Sequence, residues 1–207
     1  EKFQAAARQY GVAVPSMAMS GFFAQSFLTR DNYQDILKDC FQTMKLFGSK
    51  VAFLPLGGSG KDWQQEGCAA YQQMVSRLRT AGEMAKQEGI TIGIRTGMGA
   101  KFDKKLLKKV GSSQIKVYYN FQDAADHHRD ICKELRKLGA QRIVQIHVSN
   151  TDSVNLQEDP EINLPKIRKT LDKMKWSGWL VVERSRDVKR VRDVKYNFGR
   201  NIAYLKQ

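Results

Sequence analysis

Histidine and cysteine are both scarce here, three of each in 207 residues. Cys40, Cys68 and Cys132 are odd in number and widely spaced, which excludes a disulfide framework and reads as reduced or core thiols. With so few histidines, two of them the adjacent His127 and His128, the sequence lacks the ligands for a many-histidine cluster of zinc ions. Long apolar runs are missing as well. The longest, Val51–Leu56, has the length of a strand and not of a membrane span. No charged-then-apolar leader is present and the first residue is Glu1, so the expectation is either a cytoplasmic protein or an exported one whose leader has been removed. Acidic residues are under-represented, 21 against 35 lysines and arginines, giving a formal charge of +14. Such a balance favours anionic partners: phosphorylated small molecules, nucleic acid or an anionic surface.

What is present is the composition of a globular protein, 42% hydrophobic, long enough for one sizeable core and too short to need two domains. The basic residues sit mainly on helix faces. Lys101–Lys109 sends Phe102, Leu106 and Leu107 inward and its lysines outward. Arg184–Lys195 has Val188, Val191 and Val194 at three-residue spacing and is otherwise charged. Both runs read as solvated basic faces.

The chain is organised around Gln141–Asn150, which reads as a strand buried on both faces, with His147 near its carboxyl end and the loop Thr151–Pro160 after it. Around it the pattern alternates. Strands are expected at Val12–Met19, Lys50–Leu56, Ile90–Thr96, Gln114–Asn120 and Gly178–Glu183. Helices are expected at Lys2–Tyr10, from a cap at Asp31 to Phe47, and over Ala69–Glu88, Phe102–Val110, Asp126–Leu138, Leu164–Met174 with Pro165 in its first turn, and roughly Val188–Leu205. Gly11, Gly48, Gly89 and Gly139 stop helices. Strand followed by helix, repeated six times, predicts a parallel sheet with helical crossovers. Two architectures satisfy that: an open doubly wound sheet or most of an eight-stranded barrel. The first strand–helix turn, Met19–Phe22, carries no dinucleotide glycine fingerprint. Gly57–Lys61 is a poor phosphate loop, with Asp62 where a Ser or Thr belongs.

Six segments in register, Met44–Gly58, Ile92–Gly97, Val110–Ala124, Ile143–Asn150, Ile162–Asp172 and Trp176–Glu183, resemble the sugar phosphate isomerase/epimerase family of xylose isomerase-like TIM barrels. That superfamily also contains AP endonuclease family 2. The resemblance covers essentially the whole chain. It implies an α/β fold, a single partial or truncated TIM (β/α) barrel domain over 1–207, with six recognisable strand–helix units of the eight. Val12–Met19 and Leu180–Glu183 would then be open edges, completed by a further N-terminal segment or by another chain as in a homo-oligomer, or left as they are in a shortened barrel.

The family carries one divalent metal, Mn²⁺, Mg²⁺ or Zn²⁺, on a Glu, an Asp, a His and a second Glu at successive strand ends, and the two glutamates move the proton. The His position is matched by His147 and the last Glu by Glu183, which are the catalytic candidates. The other two positions hold Arg95 and Asn120. A guanidinium cannot coordinate a cation, and an amide brings no negative charge. The metal is therefore expected to be absent or weakly held. Substrate contacts are expected from Arg95, Asn120 and Asn150, with Lys61, Lys101, Arg184 and Arg186 following strand ends where a phosphate could be met. Trp179 reads as packing, and His127 and His128 as surface residues of a helix. The resemblance implies an isomerase or epimerase acting on a sugar or sugar phosphate. The alternatives are a non-catalytic carbohydrate-binding member and, more weakly, a nucleic-acid binder like the AP endonucleases. No membrane span is expected.

Overall fold

Strand and helix follow one another along the chain in the computed structural model, which describes residues 2–56, 63–148 and 152–207. The elements are α1 (Lys2–Gln9), β1 (Ser16–Ala18), α2 (Gly21–Ala24), α3 (Tyr33–Phe47), β2 (Val51–Pro55), α4 (Ala69–Gln87), β3 (Thr91–Arg95) and α5 (Ala100–Val110). They continue with β4 (Ile115–Asn120), α6 (Phe121–Ala125), α7 (Ile131–Leu138), β5 (Ile143–His147), α8 (Leu164–Lys173), β6 (Trp179–Val181) and α9 (Val194–Leu205). Among these, no helix is long and apolar enough to cross a membrane.

The strands lie in the order β1-β2-β3-β4-β5-β6. The pairs β1/β2, β2/β3, β3/β4 and β5/β6 are parallel. That order decides between the two architectures. A doubly wound sheet reverses its strand order at a switch point, whereas a barrel adds each strand beside the last. Here the order never reverses, so the six strand–helix units are staves of the barrel type.

Contacts within the protein group it into two compact units. One comprises the residues up to Thr96 together with Lys105–Val117; the other comprises Gly97–Lys104 and Tyr118–Gln207. In the first, α3 turns Leu37, Phe41 and Met44 inward at helical spacing and ends at Gly48, whose φ of 67° only glycine adopts without cost. Helix α4 packs Met74, Leu78, Ala81 and Ala85 in the same way, and β2 and β3 bury Ala52, Leu54, Ile92 and Ile94. In the second unit, Phe121, Leu135, Ile146, Ile167 and Leu171 form the core. Its helices are capped by side chains the sequence supplies: Asp130 accepts the Lys133 N–H ahead of α7, and Asn163 the Lys166 N–H ahead of α8.

Several boundaries differ from the sequence pattern, each for a local reason. The first strand is shorter than Val12–Met19 because Pro15 has no N–H to give the ladder, although its carbonyl still accepts the Lys50 N–H. The expected helix Asp126–Leu138 is interrupted: residues 126–128 form a turn and His128 has φ 51°, so His127 and His128 lie on a turn and not on a helix. The C-terminal helix begins at Val194, preceded by a short 3-10 turn at Val188–Arg190. Asn32, and not Asp31, occupies the position before α3. Trp179 is 53% exposed and is not core packing. Gly57–Lys61 lies outside the described residues.

Candidate active site

Arg95, Asn120 and His147 are the last residues of β3, β4 and β5, and Glu183 lies just past β6. All four therefore stand at the carboxyl ends of their strands, where parallel α/β folds gather ligands. Arg95 is half-buried in the first unit, and its carbonyl accepts the Leu56 N–H at 2.8 Å. The other three meet in the second unit.

There, alternation along β4 puts Tyr118 and Asn120 on one face and Tyr119 on the other. The Tyr118 ring lies 4.4 Å from the imidazole of His147, centroid to centroid, at 59°. Asn120 and His147 are 2% and 6% exposed. The Asn120 Oδ1 accepts the Gln122 N–H at 2.8 Å, capping α6. This fixes the amide the right way round, with Nδ2 turned to His147 Nδ1 at 3.4 Å. On the same nitrogen, Glu183 Oε2 also stands at 3.4 Å, from a side chain 48% exposed. Nδ1 thus lies between a donor and an acceptor. When it carries a proton the carboxylate accepts it, and when it is bare the amide donates to it. Either state of the imidazole nitrogen has a partner, which suits a group that gives and takes protons.

A second polar cluster forms around Asp152. Arg186 donates Nε and Nη2 to the two oxygens of Asp152 at 3.0 and 2.9 Å. Arg184 donates Nε to the same carboxylate at 3.2 Å. These hydrogen bonds, that of Arg186 foremost, hold the Asp152 carboxyl below its usual range. Of the remaining expected contacts, Lys101 is exposed on α5. Lys61 and Asn150 lie outside the described residues. Tyr118 and Asp152 escaped the sequence reading.

A cavity of ≈690 Å³ lies elsewhere; Phe121, Val148, Leu164, Ile167, Leu180 and Tyr204 are among its lining residues. Val148 reaches it because it points to the face opposite His147. No polar residue of the site lines that cavity, so its size says nothing about the chemistry.

The profile of the xylose isomerase-like TIM barrel family matches residues 1–207. The chain belongs to that family. No curated protein matches it in sequence. Solved structures match in fold. AP endonuclease family 2 from Brucella melitensis is 14% identical with a TM-score of 0.78, over 96% of this chain and 82% of that one. D-psicose 3-epimerase in the presence of D-fructose is 12% identical with a TM-score of 0.78, over 98% and 81%. A sugar phosphate isomerase/epimerase from Parabacteroides distasonis is 14% identical with a TM-score of 0.76, over 98% and 73%.

Of the four positions named from the family pattern, two hold Arg95 and Asn120, which are not carboxylates. The oxygen of Asn120 accepts the Gln122 N–H at the α6 cap, and its amide presents N–H groups to the imidazole. Among the described residues no group of three or more His, Cys, Asp or Glu side chains is placed to hold a metal ion.

Proposed function

We propose that this protein binds a sugar at the carboxyl ends of β4, β5 and β6 and isomerises it without a divalent metal, Glu183 and His147 moving the proton. The contact of Glu183 and Asn120 with one imidazole nitrogen carries this reading. In aldose–ketose isomerisation a base takes the proton from the carbon beside the carbonyl. The C–H electrons become the double bond of an enediol, and the carbonyl oxygen gains a proton. The neighbouring hydroxyl then gives up its proton, and the former carbonyl carbon receives one from the base. A single base on one face is enough, because the proton returns to the side it left. Epimerisation delivers the proton to the opposite face and needs a second acid, and the family position for that group is Arg95, which keeps its charge. A glutamate base beside an imidazole that stabilises the enediol oxygen is an arrangement known to work. Glu183, half-exposed at a strand end, fits the first role and His147 the second.

The test is hydrogen exchange in D₂O, followed by NMR on a panel of aldoses and ketoses in the presence of EDTA. Deuterium should enter at the carbon beside the carbonyl together with aldose–ketose interconversion. Glu183→Gln should lower the rate by about 100-fold or more, the scale of a lost general base. Turnover that requires Mn²⁺ and stops with EDTA would overturn the metal-free reading. Sugar binding without exchange would establish the second reading, a non-catalytic carbohydrate-binding protein. That reading is favoured by the amide at Asn120, which keeps the pocket polar while bringing no negative charge.

A further inference from the structure

The valines of the basic run before α9 do not face the core. Val188 is 64% exposed, Val191 38% and Val194 63%. With Ile202 they make up four of the six large apolar residues exposed in the second unit among the described residues, so the exposure is concentrated in one place. Side chains three apart on a 3-10 turn lie one above the other, which aligns Val188 with Val191, and Val194 follows as the first residue of α9. One exposed valine is ordinary; a row of three along a short turn is an apolar patch.

The turn that carries the row is clamped from inside. Asn197, fully buried, accepts the Asp187 N–H at 2.8 Å and donates Nδ2 to the carbonyls of Arg190 and Asp193 at 2.7 and 2.9 Å. The Ser153 carbonyl accepts the Val188 N–H at 3.1 Å. Charge is sorted in the same sense. The acids turn back onto the chain, Asp187 accepting the Lys189 N–H at 2.8 Å and Asp193 the Tyr196 N–H at 2.9 Å. Lys189, Arg190, Arg192 and Lys195 are exposed, and none forms an ion pair among the described residues. Arg190 lies over the Tyr196 ring at 4.5 Å.

An apolar row set among cations complements a layer that is anionic outside and apolar beneath. The boundary of an anionic bilayer has that structure: apolar side chains enter at headgroup level while lysines and arginines meet lipid phosphates. A nucleic acid would use the cations but give the valines nothing. A second copy would bring the same cations against these. We infer that segment 188–195 docks this protein reversibly on an anionic lipid surface, the three valines entering the headgroup layer and the four cations facing its phosphates. This binding needs no membrane-spanning helix and is independent of the sugar chemistry.

Flotation with vesicles of phosphatidylcholine, alone or with about 30% phosphatidylserine, tests it at about 0.1 M NaCl. The protein should partition onto the phosphatidylserine vesicles about tenfold or more strongly than onto the neutral ones. The decisive variant is Val188→Ser with Val191→Ser and Val194→Ser, which keeps every charge. It should lose about tenfold or more of that binding, with thermal unfolding unchanged because the three sites are exposed. Val188→Ser alone should show a smaller loss in the same direction, which keeps the test valid if the triple variant misfolds. Lys189→Gln with Arg192→Gln and Lys195→Gln should also lose about tenfold or more. Valine variants that bind as the wild type does would overturn the inference, since the vesicles would then sense only the +14 charge of the chain. Equal binding to both kinds of vesicle, or binding to neither, would overturn it too. Duplex DNA bound equally by the wild type and the valine variant, with vesicles ignored, would assign the cations to nucleic acid instead.

Discussion

Asn120 serves two partners at once: its oxygen caps α6 and its nitrogen faces the imidazole of His147. A carboxylate in its place could still cap the helix, yet it would bring a negative oxygen where the amide brings N–H groups. Asn120→Asp therefore restores one of the two altered family ligands. A unit charge at contact distance interacts with an ion by roughly 4 kcal/mol at the effective dielectric of a protein surface. Even after the desolvation it opposes, this should raise Mn²⁺ or Zn²⁺ affinity about tenfold or more over wild type. Metal content after loading and exhaustive desalting measures it. Stoichiometric metal in the unaltered protein, lost in His147→Ala, would show instead that the natural residues hold an ion after all. Asn120→Ala, which removes the cap and the amide together, should cost about 1 kcal/mol in stability.

On the scale of elements, the close approach of α4 to the segment before β4 depends on Gly82. A Cβ placed there would lie 2.7 Å from Ser112 Cβ and closer still to its Oγ. Helix propensity alone favours Gly82→Ala by about 1 kcal/mol, but overpacking costs about 1–3 kcal/mol. The variant should be destabilised, and Gly82→Ala combined with Ser112→Gly should recover most of the loss. Chemical denaturation of the four proteins of that cycle measures the coupling; additive effects would remove the clash as the cause. Nothing in the sequence flags Gly82, because the need for it lies in a partner thirty residues away. The same limit explains the broken helix at 126–138. Its residues carry no glycine or proline, and the break is tertiary: Arg129 donates Nη2 to the carbonyls of Gly97 and Asp123 at 3.0 and 2.6 Å, and Asp130 starts a new helix. Features set by local chemistry were legible. Gly48, Gly89 and Gly139 do end helices at positive φ, and the β-branched runs do form parallel strands. The strand-end positions of His147 and Glu183 were legible because each sits within a recognisable segment. Asp152 with its arginines could not be read, since one carboxylate and two bases on separate loops leave no periodic trace.

Across the whole molecule, acid should be destabilising for two separable reasons. Protonating the 21 acidic residues would leave the 35 lysines and arginines unopposed, and self-repulsion would grow. Superposed on this are specific carboxylates whose protons are held more weakly in the folded state than in the unfolded one. The hydrogen bond from Arg186 holds Asp152 low, and the Lys133 N–H at the cap of α7 holds Asp130 low. For a group depressed on folding, the stabilisation is complete above its unfolded value, about 3.9 for Asp, and drains away as pH falls through the lower folded value. Thermal unfolding followed from pH 7 to about pH 2 at fixed ionic strength should therefore show a plateau from these groups and then a fall below about pH 4. Asp152→Asn should be less stable than wild type at pH 7, and the difference should close toward the acid end, where the wild-type carboxyl is protonated too. Added salt should soften the part due to general repulsion in both proteins alike, because screening acts on exposed charges. Two stability curves running parallel across the whole range would mean that the Asp152–arginine cluster contributes no proton-linked stability.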